Sequence, residues 1–358
     1  LSGIKVDDFN LMFETNIGPG SSNPGYLRPE TAQGIFVEFP RFKEYMRNQL
    51  PFGITQIGKA YRNEISPRKS IIRVREFTQA ELEHFIDADE DEPRLEKVED
   101  VELVLYPIDE QEDGDGEKLQ MTVREAVEDD VITSDWIAYY LGVAKKWYER
   151  IGIDMERFRF RQHLKGERAH YASDCWDAET EVDGDWIEVT GFAYRGCYDL
   201  KKHQEHSNQS FEVFKEYDEP RTEKVAKIDP DMSWLGPTYG DHASAIMEEL
   251  EEMVEIEPEI FEREEELRIQ IEENSFNVPV DKLNFQIVEE EKTGERILPQ
   301  VVEPSFGIDR ILYSVLDHAY EEDEVDGEER KVLQLEPEVA PVEVAVFPLM
   351  DKDGMGDK

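Results

Sequence analysis

The sequence is short of cysteine and of positive charge, and it holds no long apolar run. Two cysteines in 358 residues, Cys175 and Cys197, exclude a disulfide framework and a four-cysteine zinc site. No window approaches the roughly 20 consecutive apolar residues of a membrane helix, and the residues after Leu1 form no signal-peptide pattern. Lys and Arg number 40 against 85 Asp and Glu, a formal net charge of −45. As a total this argues against a polyanionic partner, because affinity for phosphate comes largely from basic side chains. These absences point to a soluble, cytoplasmic protein with no membrane partner.

What is present is enough for a core. The 39% apolar and 10% aromatic content separates the chain from acidic disordered tails, and its length corresponds to roughly two domains. The charge is also unevenly placed. Between Arg41 and Arg75 stand nine basic residues and two acids, a window of +7, which leaves −52 for the rest. A positive island in an acidic protein marks a place where an anion can be held. The acids elsewhere form runs at Asp87–Glu92, Asp109–Glu117, Glu248–Glu252, Glu262–Glu266 and Glu321–Glu329. Dispersed acid of this kind suits a protein working at very high salt, where screening over ~3 Å removes self-repulsion. It predicts a salt-loving source.

Along the chain, Gly18–Gly25 reads as a loop of strong turn formers. Ile54–Arg62 and Ile71–Ile86 alternate apolar and polar residues and predict two antiparallel strands joined by Glu64–Ser70. Asp87–Asp130 reads as an acidic insertion. Ser134 predicts the cap of a helix to Arg150, with Trp136, Ile137, Tyr140, Leu141, Ala144 and Trp147 on its apolar face. Strands are expected at Phe158–His163 and Trp186–Tyr194, and two charged helices in Asp241–Glu273, broken at Glu257-Pro258. Phe285–Glu290 and Arg296–Glu303 predict a hairpin around Lys292-Thr293-Gly294. Pro304-Ser305 should break its second strand before a helix from Phe306 to Ala319. Val342–Pro348 predicts a further strand. The outline is α+β, a mixed and largely antiparallel sheet flanked by helices.

Two stretches carry chemistry. Arg62-Asn63-Glu64 is followed by Arg73, Phe77 and Glu81 at four-residue steps. Even spacing on a strand puts side chains on one face, so Arg73, Arg75, Phe77 and Glu81 should share one, with Arg62 and Glu64 across the hairpin. Guanidinium forks suit phosphate oxygens, and an aromatic plane suits a base. In Glu303-Pro304-Ser305-Phe306-Gly307-Ile308-Asp309-Arg310, a strand end enters a helix with Arg310 in its first turn. A cation there opposes the helix dipole, which points to an anionic partner. His203 and His206 lack the further ligands of a zinc site, Cys175 and Cys197 read as buried thiols, and His84 reads as structural.

Together these pieces resemble the catalytic core of class II aminoacyl-tRNA synthetases. Arg62-Asn63-Glu64 with Arg73, Phe77 and Glu81 is similar to the family's motif 2, and Gly307-Ile308-Asp309-Arg310 to its motif 3. Arg28–Gly34, Trp186–Arg195 and Glu303–Gly307 are similar to signatures of its glycine-specific members. The resemblance implies ATP-dependent activation of glycine to an adenylate and transfer to tRNA(Gly), with Mg²⁺ on the phosphates and no protein nucleophile. It assigns Arg62, Glu64, Arg73, Phe77 and Arg310 to ATP, Arg62 and Arg310 among them being catalytic. It assigns Glu30, Glu81, Arg195, Glu303 and Ser305 to glycine, and no metal site made by protein alone.

By the same resemblance the catalytic core occupies 1–86 (with motif 2), 134–204 and 285–336 (with motif 3). An acidic insertion falls at 87–133, a helical insertion at 205–284, and a linker with the start of an anticodon-binding domain at 337–358. The family's motif 1 is expected before Leu1 and most of the anticodon-binding domain after Pro341, so the reading is of a fragment of a homodimeric enzyme. Two alternatives stand beside it: a non-catalytic nucleic-acid-binding accessory protein on the same fold, and a class II synthetase for another amino acid.

Overall fold

A computed structural model of the chain describes residues 11–18, 23–67, 70–112, 114, 116–167, 174–230, 232–271, 274–325 and 327–347. Part of the Gly18–Gly25 loop, Arg68 and Lys69 of the basic island, and Asp113 and Asp115 of an acidic run therefore lie outside the described residues.

The chain divides into two compact units. One comprises 1–213 and 297–358, the other 214–296. The first is built on eight strands: β1 (Phe52–Tyr61), β2 (Glu76–Ile86), β3 (Glu102–Tyr106), β4 (Leu119–Thr122), β5 (Phe158–Gln162), β6 (Asp174–Val182), β7 (Asp185–Gly196) and β8 (Gln300–Gly307). Their spatial order is β1-β2-β8-β7-β6-β5-β3-β4. Strands β3 and β5 run parallel, and the other neighbours are antiparallel. Helices α1 (Ala32–Tyr45), α2 (Asp135–Arg150), α3 (Tyr198–His206) and α4 (Ile308–His318) complete the α+β architecture.

Alternation along β2 sets the layers. Phe85 packs against Phe36 and Phe39 of α1, while its neighbour His84 meets Tyr140 and Trp136 of α2, so the two helices cover opposite faces. The α1 side holds a cluster of Ile35, Phe36, Phe39, Phe52, Phe85, Leu200 and Phe211. The α2 side holds the larger one, with Leu103, Leu105, Ile137, Leu141, Tyr148, Phe160 and Trp176. Ser134 caps α2 as its sequence indicates, Oγ accepting from Ile137 N at 3.4 Å.

Several elements differ from the sequence expectation. Helix α1 was not legible, because Gly34 and Pro40 lie inside it, yet Ala32, Ile35, Phe36 and Phe39 recur at helical spacing and their burial prevails. Strand β2 begins at Glu76, so 71–75 is connecting chain, and Arg73 and Arg75 precede the strand face they were expected to share. No hairpin forms around Lys292-Thr293-Gly294. Gln286–Ile297 is one continuous strand paired with Val213–Lys227, and β8 starts afresh at Gln300.

Pro304 does not break its strand either. It pairs with Phe192 in β7, while the ladder to β2 skips from Val302↔His84 to Ser305↔Glu81, where a proline has no N–H to give. The acidic stretch 87–133 contributes β3, β4 and the buried Val98, Leu103, Leu105 and Val123 to the main core. The 342–347 segment takes no strand.

In the second unit, helices Ala243–Ile256 and Ile260–Arg263 are followed by a strand, Glu266–Ile271, where helix was expected. It pairs with Asn274–Pro279, and Ile246, Leu250, Phe261, Leu267, Ile269 and Val278 form a core of their own.

Candidate active site

The α1-facing side of β2 runs Gln79, Glu81, Glu83, all buried, before the apolar Phe85. Buried polar residues in sequence on a central strand are what a packed core does not need, and they locate the site. Register places Glu81 opposite Ser305 of β8, Ser305 opposite Gly191 of β7, and Gly191 opposite Asp177 of β6. A cavity of about 250 Å³ opens over this row, bounded by Glu30 on one side and Arg310 of α4 on another.

The floor is acidic and tightly organised. Glu81 Oε2 accepts from Thr31 N (2.6 Å), Ala32 N (2.8 Å) and the Thr31 hydroxyl, and its Oε1 accepts from Ser305 Oγ (2.9 Å). The carboxylate thus satisfies the N-terminal amides of α1, a favourable place for negative charge. Arg195 is the extra residue of a bulge in β7, where Val301 pairs with Gly196 but Val302 with Tyr194. Its guanidinium pairs with Glu303 and takes Asp199 in a bidentate contact (2.8 and 3.1 Å). Burial works against the Arg195 charge, but Glu303, Asp199 and Glu83 outweigh it and hold its pKa above the ordinary value. Burial raises Glu303 against the opposing pull of Arg195.

The mouth is cationic. Arg62 lies over the Phe77 ring (5.5 Å to the centroid) and 3.9 Å from Glu30 Oε1. Arg73 Nε donates to Glu64 Oε2 at 2.6 Å, and Arg75 Nε to the Glu64 carbonyl at 2.9 Å, which fixes the loop between the strands. Arg310 donates to the carbonyls of Ile72 (3.1 Å) and Glu188 (2.8 Å). Asp309 Oδ2 accepts from Thr78 N at 2.6 Å, tying the start of α4 to β2. On the far wall, His163 Nε2 meets Asp177 Oδ2 at 2.7 Å. Burial pushes the Asp177 carboxyl up to about 6, and its hydrogen bond raises His163.

An arginine-lined, aromatic mouth above a carboxylate floor can hold a nucleotide and an ammonium at once. With that geometry, residues 21–107 match the tRNA synthetase class II core domain (G, H, P, S and T), and the relatives extend the match to almost the whole chain. Over 351 residues the chain is 46% identical to the glycine–tRNA ligase of Methanothrix thermoacetophila, an alignment covering 98% of this chain and 60% of that one. The chain is similar to class II tRNA synthetases along nearly its whole length. It is 48% identical over 352 residues to the glycine–tRNA ligase of Methanothermobacter thermautotrophicus, covering 98% and 61%. The chain therefore spans about 60% of the length of these curated relatives. A solved Giardia lamblia prolyl-tRNA synthetase in complex with prolyl-adenylate overlays with a TM-score of 0.42 at 12% identity, covering 86% of this chain and 36% of that one.

Nine of the ten residues singled out from the sequence line the cavity: Glu30, Arg62, Glu64, Arg73, Phe77, Glu81, Glu303, Ser305 and Arg310. Arg195 stands behind the wall and reaches the site through Glu303. Gln79, Glu83, Asp177, Glu188 and Asp309 were missed. Gln79 and Glu83 were legible by alternation from Glu81, and Asp309 adjoins Arg310, whereas Asp177 and Glu188 arrive only through sheet register. Cys175 also lines the cavity; Cys197 is half-buried, contrary to expectation, and neither forms a disulfide.

Proposed function

We propose that this chain is the catalytic core of a glycine–tRNA ligase. The carrying observation is that Arg62, Arg73, Arg310 and Phe77 line a single cavity together with Glu30, Glu81, Glu303 and Ser305, with Arg62 over the Phe77 ring. In this reading Phe77 and Arg310 sandwich the adenine, Glu64 lies near its amino group, and Arg73 reaches the γ-phosphate. Arg62 neutralises charge on the α-phosphate while orienting the glycine carboxylate. That carboxylate attacks the α-phosphorus, pyrophosphate leaves, and glycyl-adenylate forms. The terminal ribose hydroxyl of tRNA(Gly) then attacks the adenylate carbonyl and releases AMP. No side chain becomes covalently attached, so the protein contributes position and charge.

Glu30, Glu81, Glu303 and Ser305 would surround the substrate ammonium. Carboxylates packed this closely also occupy the space a side chain would need, which selects the smallest amino acid. Mg²⁺ fits the donor chemistry as an ion carried on the phosphates. Among the described residues no three metal-ligating side chains converge, but the half-exposed Glu188 offers a hard oxygen beside Arg310. When bound, the ion would neutralise phosphate charge.

The full-length protein would act in the cytoplasm on tRNA(Gly), as a homodimer. ATP–pyrophosphate exchange on that protein, with glycine, alanine and serine in parallel, tests the reading. Exchange with glycine alone is expected. Exchange driven by another amino acid would make this a different class II synthetase, and no exchange with any would leave a non-catalytic protein on the fold.

A further inference from the structure

Glu83 is fully buried, and no side chain or backbone donor hydrogen-bonds either of its oxygens among the described residues. It lies on β2 between Glu81 and Phe85, beneath α1, at the position that the β2–β8 register sets opposite Glu303. The ionisable groups that bear on it are Glu303 from β8, Arg195 from the bulge of β7, and Glu81 from its own strand. From α3, Asp199 acts through Arg195. On the β1 side its cross-strand neighbour is Ile54, and α1 brings Phe36 and Phe39 to the adjoining Phe85.

Charge counting then decides its state. Arg195 is the cation of this cluster, and it hydrogen-bonds Asp199 and Glu303 but not Glu83. A second carboxylate beside Glu303, fully buried and without a donor, would be an uncompensated buried charge. Carried as the acid, Glu83 owns one O–H donor, and Glu303 is the acceptor facing it. Burial, and next to it the Glu303 charge, push Glu83 well above the ordinary carboxyl range, which agrees with that count.

We propose that Glu83 is a positioning residue: as a neutral acid it donates a hydrogen bond to Glu303 and, with Arg195 on the other side, fixes the rotamer in which Glu303 meets the substrate ammonium. The proposal rests on the glycine-activation reading for its substrate, and on the buried pair alone for its protonation. It explains why two glutamates face each other in a site for a monocation without repelling. One is ionised and aimed, and the other holds it.

The test uses the full-length protein with Glu83→Gln and Glu83→Leu. Gln supplies an N–H donor in nearly the same place, and Leu supplies none. In glycine-dependent pyrophosphate exchange, Glu83→Leu should raise the glycine KM about tenfold or more, with the KM for ATP within about twofold of the parent. Glu83→Gln should restore the glycine KM to within about threefold. A Glu83→Leu protein with the parent's glycine KM, or a Glu83→Gln protein as impaired as Glu83→Leu, overturns the proposal. Should Glu83→Leu fail to fold, Glu83→Gln decides alone: near-parental glycine KM supports the donor role and a tenfold rise overturns it. Infrared difference spectra of parent minus Glu83→Gln separate this from the functional reading. A protonated-carboxyl band persisting above pH 7 is expected even from a protein that activates no amino acid, and its absence overturns the proposal.

Discussion

Each side chain of the site is held by something other than substrate. Glu81 is committed to the amides of α1 and to Ser305, Glu303 to Arg195, and Arg73 to Glu64. Such prior commitments reduce the entropy a ligand must remove on binding. Replacing Glu303 by Gln removes the charge proposed to meet the ammonium and weakens the Arg195 pairing. Glu303→Gln should raise the glycine KM about 10- to 100-fold, the scale of a lost charged hydrogen bond, and leave the KM for ATP near normal. An unchanged glycine KM would remove Glu303 from the glycine site.

His84 makes a second prediction at this scale. It is enclosed by Trp136 and Tyr140, and burial pushes it down to about 4. Between pH 4 and 6.5 the unfolded chain therefore binds more protons than the native one at this residue, so its contribution to stability rises with pH across that window. The full amount is about 3 kcal/mol, present above pH 6.5 and lost toward pH 4. Denaturant unfolding at pH 4.5 and 7 should show a smaller pH difference in His84→Gln than in the parent. Equal differences would show that His84 titrates normally in the fold.

Elements were legible where their periodicity was uninterrupted. Helix α2 has its cap, its stripe and its end in the sequence, and Ser134→Ala should cost about 1 kcal/mol in unfolding free energy without altering exchange kinetics. No loss of stability would show that the Ser134 cap contributes nothing. Helix α1 has a clear apolar stripe too, but Gly34 and Pro40 argue against it locally. What offsets them is the buried face against Phe52 and Phe85 and the Glu81 carboxylate at its first amides. Strand β8 carries Pro304 in a central position because the missing N–H removes one rung toward β2 while the β7 ladder continues. Both failures of sequence reasoning have one cause: local rules price a residue in isolation, and a sheet or a packed face supplies the compensation.

For the whole molecule, the charge is the governing quantity. A net −45 spread over the surface repels itself, and screening shortens that repulsion to about 3 Å at 1 M salt. The midpoint of thermal unfolding should rise between 0.1 and 1 M KCl. A flat or falling midpoint would show that the acidic surface imposes no such cost, and would remove the argument for a salt-loving source.

The basic and aromatic residues of the site, and the order of its motifs along the chain, were set by sequence alone. Guanidinium, carboxylate and aromatic groups have fixed chemistry, and alternation puts Phe77 and Glu81 on one face of β2. Only the tertiary structure brought Asp177 and Glu188 to that same cavity, aimed Arg195 through a bulge at Glu303, and made 87–133 part of the core. These depend on which strands become neighbours and in what register, and that is decided by the burial of whole faces against one another, a property no local stretch contains.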